Sequence, residues 1–144
     1  MLIELIAAIT ILLVLTTLAL PLARNQIIRA RETLLREDLR MMRDAIDRYK
    51  MMSDAQMIPV KVDSYGYPPD LQTLVDGVPV RGTAKGKYKF LRKIPIDPMT
   101  GSADWGLRAM QDDPDSKSWG GENVFDVFSK SSGTALDGTQ YADW

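Results

Sequence analysis

The first 22 residues form an almost unbroken apolar run, and no other stretch constrains the chain as strongly. The run reads MLIELIAAITILLVLTTLALPL, and residues 5–20 contain no charged side chain. A helix needs about 20 apolar residues to cross a bilayer core roughly 30 Å thick. The run just reaches this length, so it predicts a helix in a membrane or a protein core.

Composition narrows what the rest of the chain can do. The 144 residues suit one small domain behind the apolar run, and 18 basic against 19 acidic residues give no general attraction to nucleic acid. The chain contains no Cys and no His. This excludes disulfides, thiolate zinc sites, His- or Cys-based catalysis and haem ligation by His, whereas a metal bound by oxygen ligands alone stays open.

Glu4 is the one carboxylate inside the apolar run, and it leaves two interpretations open. It can lie at the water interface of an ordinary membrane anchor, where it needs no partner. Alternatively it is buried and pairs with a cation of a neighbouring copy, of which the α-amino group is the nearest candidate. A charge inside an apolar environment is costly, so a partner would explain its presence.

Residues 23–52 predict the amphipathic continuation of the same helix. Apolar side chains recur at helical spacing, at Ile28, Leu35, Leu39, Met42, Ile46 and Tyr49. The opposite face carries pairs at i,i+4, such as Glu32–Arg36 and Arg40–Asp44, that are worth a few tenths of a kcal/mol each. Its arginines suggest nucleic-acid or calmodulin-type binding, but the interleaved acids favour a solvated face beside a domain.

Pro21 lies between the two halves of this helix. A proline inside a helix removes a hydrogen bond and costs about 3 kcal/mol. We therefore predict a kink or a locally melted turn near residues 17–22. The half before it would pack with other apolar helices, and the half after it would cover a globular domain, residues 53–144.

Turn residues divide residues 53–144 into short elements. Asp70 predicts the N-cap of a short helix over residues 71–75 that ends at Gly77, and a second turn is predicted from Gly82 to Gly86. Residues 87–96 contain a short extended or helical segment, and residues 105–110 and 124–129 predict strands. An acidic turn region, residues 111–122, connects the two predicted strands.

Several stretches resemble the type IV pilins and pseudopilins. Residues 2–6, LIELI, followed by a long apolar helix, are similar to the mature N-terminus of that family, whose helix-breaking proline follows the glutamate at the spacing of Glu4 and Pro21. Three later stretches resemble the major pseudopilin of type II secretion, the G type. They are residues 66–74 (GYPPDLQTL), the K-x-P-x-D-P segment at 93–98, and the C-terminal strand and loop at 126–129, 137–138 and 142–144.

The resemblance implies an α+β pilin fold, with the long helix packed on a small antiparallel sheet and an αβ-loop. It implies a homo-oligomeric helical filament that drives protein export, and no enzymatic activity. Glu4 would dock each incoming subunit, and Pro21 would mark where the helix yields. Implied partners are a membrane assembly platform with a cytoplasmic ATPase, minor pseudopilins and a prepilin peptidase, and methylation is also implied. The head would be periplasmic, with the helix in the bacterial inner membrane before assembly.

The resemblance also implies calcium bound in the C-terminal loop. Its ligands would be Asp137 and Asp143, with backbone or hydroxyl oxygens from residues 129–132 nearby, since calcium takes six to eight oxygen ligands. The chain departs from the family here, because Ser131, Ser132 and Gly133 replace an aspartate. The alternative is a turn with Asp caps and no ion.

The N-terminus departs from the family as well. The glutamate of the family usually lies one residue deeper, behind an aromatic first residue, whereas Met1 directly precedes Leu2 here. We interpret the chain as essentially the processed form, short of its first residue.

Other functions stay open beside this one. A major pilin of a type IV pilus would share the helix, although those pilins usually close a C-terminal loop with two cysteines. A membrane-anchored binding domain that never polymerises is a further alternative. An anchored hydrolase could be built from carboxylate pairs, but the acids at 104, 112, 113, 115 and 122 fall in turn-rich sequence that favours a solvated loop.

Overall fold

The computed structural model describes residues 1–82 and 86–144, and its dominant element is one long helix. This helix, α1, runs from Leu2 to Asp54 without interruption. At 1.5 Å per residue it is about 80 Å long. It ends where Gln56 takes a left-handed backbone conformation (φ 56°) and its amide donates to the Ser53 carbonyl.

Of the two alternatives predicted near Pro21, the melted turn is wrong, because residues 17–22 are all helical, and the kink stays a prediction. Proline removes only the amide that would have bonded to the Thr17 carbonyl, and the flanking turns keep their own bonds. The Thr16 and Thr17 hydroxyls add bonds to backbone carbonyls one turn earlier, at 2.8–2.9 Å. These bonds lie before the missing one and do not replace it, and the helix continues through Pro21 although nothing packs against it here.

The second half of α1 supplies one wall of the hydrophobic core. Of the predicted face, Ile28 is half-buried and the other five side chains are buried: Leu35, Leu39, Met42, Ile46 and Tyr49. Each fully buried side chain of this size contributes about 1.5–3 kcal/mol. The other wall comes from the head, chiefly from Leu74, Phe90, Trp105, Val124 and Val127. The predicted amphipathic period is therefore confirmed.

Short elements follow α1 in the order that the sequence predicts. A 3₁₀ turn, Val62–Ser64, precedes α2, Leu71–Asp76. The Asp70 carboxylate caps α2 by accepting from the Thr73 amide at 2.6 Å, and Gly77 ends it with φ 78°. The cap, the helix and the terminating glycine are thus confirmed. Part of the predicted turn from Gly82 to Gly86, residues 83–85, lies outside the described residues.

In residues 1–82 and 86–144, four short strands form two separate antiparallel pairs rather than one sheet. Strand β1, Val78–Pro79, pairs with β2, Lys87–Tyr88. Strand β3, Gly106–Arg108, pairs with β4, Asp126–Phe128, with Leu107 opposite Val127. The strands predicted over 105–110 and 124–129 exist but are shorter. The layout of one long helix and small antiparallel pairs is α+β.

Gly106 allows β3 to lie close to β4. A Cβ atom at this position would meet the Phe128 ring at 2.3 Å, a distance at which one of the two must move. A larger residue would therefore push β3 away from β4, the strand that lies against α1. A final 3₁₀ turn, Tyr141–Asp143, folds the C-terminal segment back toward β4.

Candidate assembly helix and C-terminal loop

The apolar half of α1 is exposed along its whole length. Residues 1–22 make no contact that buries them, and the most apolar window of α1 has none of its residues buried. Among the residues that the structure describes, α1 is the one helix long and apolar enough to cross a membrane. A helix of this kind is compatible with a membrane anchor near the N-terminus.

Glu4 lies in the first turn of α1, where its side chain is exposed. A carboxylate is favoured there because the helix dipole places partial positive charge at the N-terminus. No hydrogen bond or ion pair engages it within residues 1–82 and 86–144. Pro21 lies about 25 Å further along the axis, so the two predicted assembly residues are far apart within one chain.

The C-terminal loop places Asp137 among partners from this chain. One carboxylate oxygen accepts from the Thr139 amide at 3.0 Å and from the Thr139 hydroxyl at 2.6 Å. The other lies 3.5 Å from the Arg36 guanidinium. The two Thr139 donors, helped by Arg36, hold the pKa of the Asp137 carboxyl below its ordinary value.

As arranged here, both Asp137 oxygens have partners within the chain. The Arg36 guanidinium lies 3.5 Å from one of them, where its positive charge opposes the approach of a cation. Asp143 is exposed, and no described contact joins it to Asp137. The described residues contain no group of three His, Cys, Asp or Glu side chains that could hold a metal. Calcium binding through Asp137 and Asp143 stays a prediction.

The serines predicted as further oxygen ligands also have partners within the protein. The Ser129 hydroxyl donates to the buried Asp97 carboxylate at 2.6 Å. Ser131 accepts from the Gly133 amide at 3.2 Å. Asp97 belongs to the K-x-P-x-D-P segment, so this motif anchors its loop to the end of β4, a role the sequence analysis missed.

Three charged residues of α1 hold the C-terminal loop, and sequence reasoning did not assign them this role. We call Glu32, Arg36 and Arg43 the C-terminal clamp. Their spacing of four and seven places them on one side of the helix. The predicted solvated face is therefore wrong for buried Glu32 and half-buried Arg43, although most charged residues of this face are exposed.

Glu32 is the buried member of the clamp. One carboxylate oxygen accepts from the Leu136 amide at 2.8 Å and from the Tyr141 hydroxyl at 3.1 Å. Burial, followed by the bond to Glu32, raises the pKa of the Tyr141 hydroxyl. Glu32 bonds to residues more than 100 positions away instead of the predicted partner Arg36.

Arg43 and Arg36 complete the clamp. Arg43 donates to the Asp126 carboxylate at 2.7 Å and to the Trp144 carbonyl at 2.7 Å, which ties β4 and the C-terminal segment to one side chain. Arg36 lies over the Trp144 ring at 4.1 Å from its centroid. Trp144 also meets Tyr141 edge-on at 5.2 Å. Guanidinium groups favour such planar, multi-bond contacts.

The acidic residues considered for hydrolysis lie in separate surroundings. Asp104 pairs with Lys130 at 2.7 Å, whereas Asp112 accepts from the Ala109 and Gly120 amides and shapes its own turn. Asp113, Asp115 and Glu122 are exposed. This distribution is typical of loop-shaping and solvated acids.

Comparisons with protein-family models, with curated proteins and with solved structures found no match to this chain.

Proposed function

We propose that this chain is a structural subunit that polymerises into a helical pseudopilus and drives protein export by type II secretion. One observation carries the proposal. The fully exposed apolar half of α1, residues 1–22, continues directly into the half that supplies one wall of the hydrophobic core of the head. A subunit of this shape can place its apolar half in lipid first and among equivalent helices later, with the head outside.

The energetics require a non-aqueous partner for the apolar half. Fourteen of its side chains are large, apolar and exposed. Full burial of such side chains is worth about 20–40 kcal/mol in total at the usual increment per residue. The alternatives for this surface are therefore lipid, other helices, or both in turn.

Assembly assigns a task to the one charge in that surface. In a bundle of apolar helices, a Glu4 without a cationic partner would be strongly unfavourable, whereas the α-amino group of a neighbouring copy would neutralise it. Copies joined head to tail through such a contact give an open helical filament when the rotation between copies does not close a ring. Pro21 would allow the helix to adjust where the apolar half meets the head.

The resemblance to G-type pseudopilins completes the proposal. The subunit would wait in the bacterial inner membrane with a periplasmic head, after a prepilin peptidase has acted on it. A platform with a cytoplasmic ATPase would add subunits at the base, and minor pseudopilins would join the filament. Chemistry at a catalytic centre has no part in this role.

A major pilin of a type IV pilus, or of another extracellular filament, would use the same apolar helix. The clamp favours the pseudopilin, because the C-terminal loop is held without the cysteine pair that is usual in those pilins. A non-polymerising membrane-anchored domain would also keep the helix, but it would leave Glu4 without a task.

Electron microscopy of cells that carry the secretion machinery tests the proposal. We expect filaments from the wild-type chain and none, or very few, from Glu4→Ala. Thr10→Ala is the matched control, because it removes a polar group from the same apolar half. Equal filaments from Glu4→Ala would remove the role of Glu4, and a wild-type chain that never polymerises would remove the proposal.

A secretion assay separates the pseudopilus from the pilus. Deletion of the chain should stop export of the secreted proteins and leave any surface fibres unchanged. Loss of long surface fibres with intact export would identify a pilin instead.

A further inference from the structure

A groove lies between one side of α1 and residues 89–96 of the head. Its volume is about 660 Å³. Phe90, Leu91 and Pro95 form a buried apolar floor, and the exposed side chains of Met41 and Ile96 line it further. The groove is on the opposite side of α1 from the clamp, so the C-terminal loop does not cover it.

The rim of this groove is strongly basic. Its exposed cations are Arg48, Lys89, Arg92 and Lys93. None of them belongs to an ion pair within 4 Å in the part of the chain that the structure describes. The one acid in the lining, Asp38, is buried at its base. Lys93 still interacts electrostatically with Asp38, and Arg48 donates to the Asp44 carbonyl at 3.1 Å. Four exposed cations against one buried acid leave an excess of positive charge around an apolar floor, which attracts a partner that is both acidic and partly apolar.

The same chain carries a segment with these properties on another part of the head. We call residues 110–122, between β3 and β4, the acidic loop. Asp113, Asp115 and Glu122 are exposed, with Lys117 as the one base. Two large apolar side chains accompany them, Met110 at 50% and Trp119 at 39% exposure.

The acidic loop is already held in one shape. Asp112 accepts from the Ala109 amide at 2.7 Å and from the Gly120 amide at 3.1 Å. The Trp119 indole donates to the Asn123 carbonyl at 2.7 Å, so its ring has a fixed position while part of it stays exposed. A loop that is ordered before binding loses little entropy when it docks.

We propose that the basic groove of one copy receives the acidic loop of a second copy. Charge complementarity between two different surfaces of one chain makes the contact heterologous, so each copy gives one loop and accepts one. The inference rests on the proposed polymerisation and adds a contact between heads to the contact between apolar helices. Contacts between heads would then help to fix the position of each subunit relative to its neighbours in the filament.

Chemical cross-linking tests this contact directly, because the chain has no cysteine of its own. Two full-length chains, Lys93→Cys and Asp113→Cys, are expressed together with the secretion machinery, and sheared filaments are treated with a short bis-maleimide. We expect a strong heterodimer band. Asp47→Cys, another exposed acid that lies on the outer face of α1, replaces Asp113→Cys in the control.

Charge reversal provides the second test. Arg92→Glu with Lys93→Glu should lower the filament yield several-fold, and Asp113→Lys with Asp115→Lys in the same chain should restore it. Lys61→Glu, an exposed lysine outside the groove, should leave the yield unchanged.

The outcomes separate the two proposals. If the wild-type chain forms filaments but the cross-linked band is no stronger than in the control, the groove contact is overturned and polymerisation stands. The same holds if charge reversal at Arg92 and Lys93 leaves the filament yield unchanged. A loss of yield without rescue, together with an absent cross-link, would mean that another partner occupies the groove and would overturn it too. An absence of wild-type filaments would remove both proposals.

Discussion

Single charged residues of α1 decide where the C-terminal loop lies. Glu32, Arg36 and Arg43 engage the amide of Leu136, the ring of Trp144 and the carbonyl of Trp144, respectively. A buried acceptor or donor that loses its partner costs about 1–3 kcal/mol, whereas an exposed ion pair is worth at most about 1 kcal/mol. Buried Glu32 should therefore matter more to stability than the exposed pair between Arg36 and Asp137.

Glu32→Ala should lower the free energy of unfolding by about 1–3 kcal/mol, because the Leu136 amide and the Tyr141 hydroxyl lose their acceptor. Urea unfolding of the full chain in mild detergent, followed by tryptophan fluorescence, measures this. Asp47→Ala is the control, since Asp47 is exposed on the same helix. Equal midpoints for the two variants would contradict the role of Glu32.

Calcium bound to Asp137 in the C-terminal loop would compete with the Arg36 guanidinium, which lies 3.5 Å from this carboxylate. The melting temperature of the full chain should then rise when calcium replaces chelator, because a ligand that binds only the folded state stabilises it. Arg36→Ala should enlarge the rise, and Asp137→Asn should abolish it. An unchanged melting temperature in all three proteins would remove the calcium site.

Asp38 gives stability a pH dependence of its own. Burial, reinforced by Glu37, raises the pKa of this carboxyl above its ordinary value. Folding then favours the protonated form, so this contribution is present below about pH 4 and is lost as pH rises through the folded pKa. We expect Asp38→Asn to be more stable than wild type at pH 7 and nearly equal at pH 3. Urea midpoints at both pH values measure this, and a variant less stable at pH 7 would contradict it.

At the scale of elements, local chemistry decided most of what could be predicted. Asp70 caps α2 and Gly77 ends it, and both signals act within a few residues. The buried face of α1 could likewise be predicted, because residues three and four positions apart lie on the same side of a helix. The strand predicted over residues 105–110 was too long, because the Ala109 and Met110 amides donate to the Asp112 and Asn123 side chains instead of to a strand.

Pro21 shows the limit of a purely local argument. Its missing amide predicted a kink or a locally melted turn, but residues 17–22 stay helical with one bond fewer. Amide exchange in micelles should therefore be faster at residues 18–22 than one turn later, and Pro21→Ala should slow it by restoring a bond to Thr17. Leu22→Ala serves as the control. Equal exchange in wild type and Pro21→Ala would mean that the proline does not weaken the turn.

At the scale of the whole molecule, residues 1–22 are exposed, whereas the second half of α1 and the head share one hydrophobic core. Each charge in the apolar half should weaken insertion by about 3 kcal/mol, so several charges are needed to outweigh the burial of fourteen apolar side chains. We expect a variant with lysine at positions 6, 9, 12, 15 and 18 to leave the membrane fraction when membranes are washed, whereas a variant with valine at the same positions stays. Retention of both would show that residues 1–22 do not hold the chain in lipid.

The sequence by itself determined the long helix, its two different halves, the cap of α2 and the places of β3 and β4. Each depends on periodicity or on side chains within a few positions. Only the tertiary structure decided that Glu32, Arg36 and Arg43 clamp the C-terminal loop and that Asp97 binds Ser129. These contacts join residues about 30 to 100 positions apart. A charged residue on a helix looks the same in sequence whether water or a distant backbone amide is its partner.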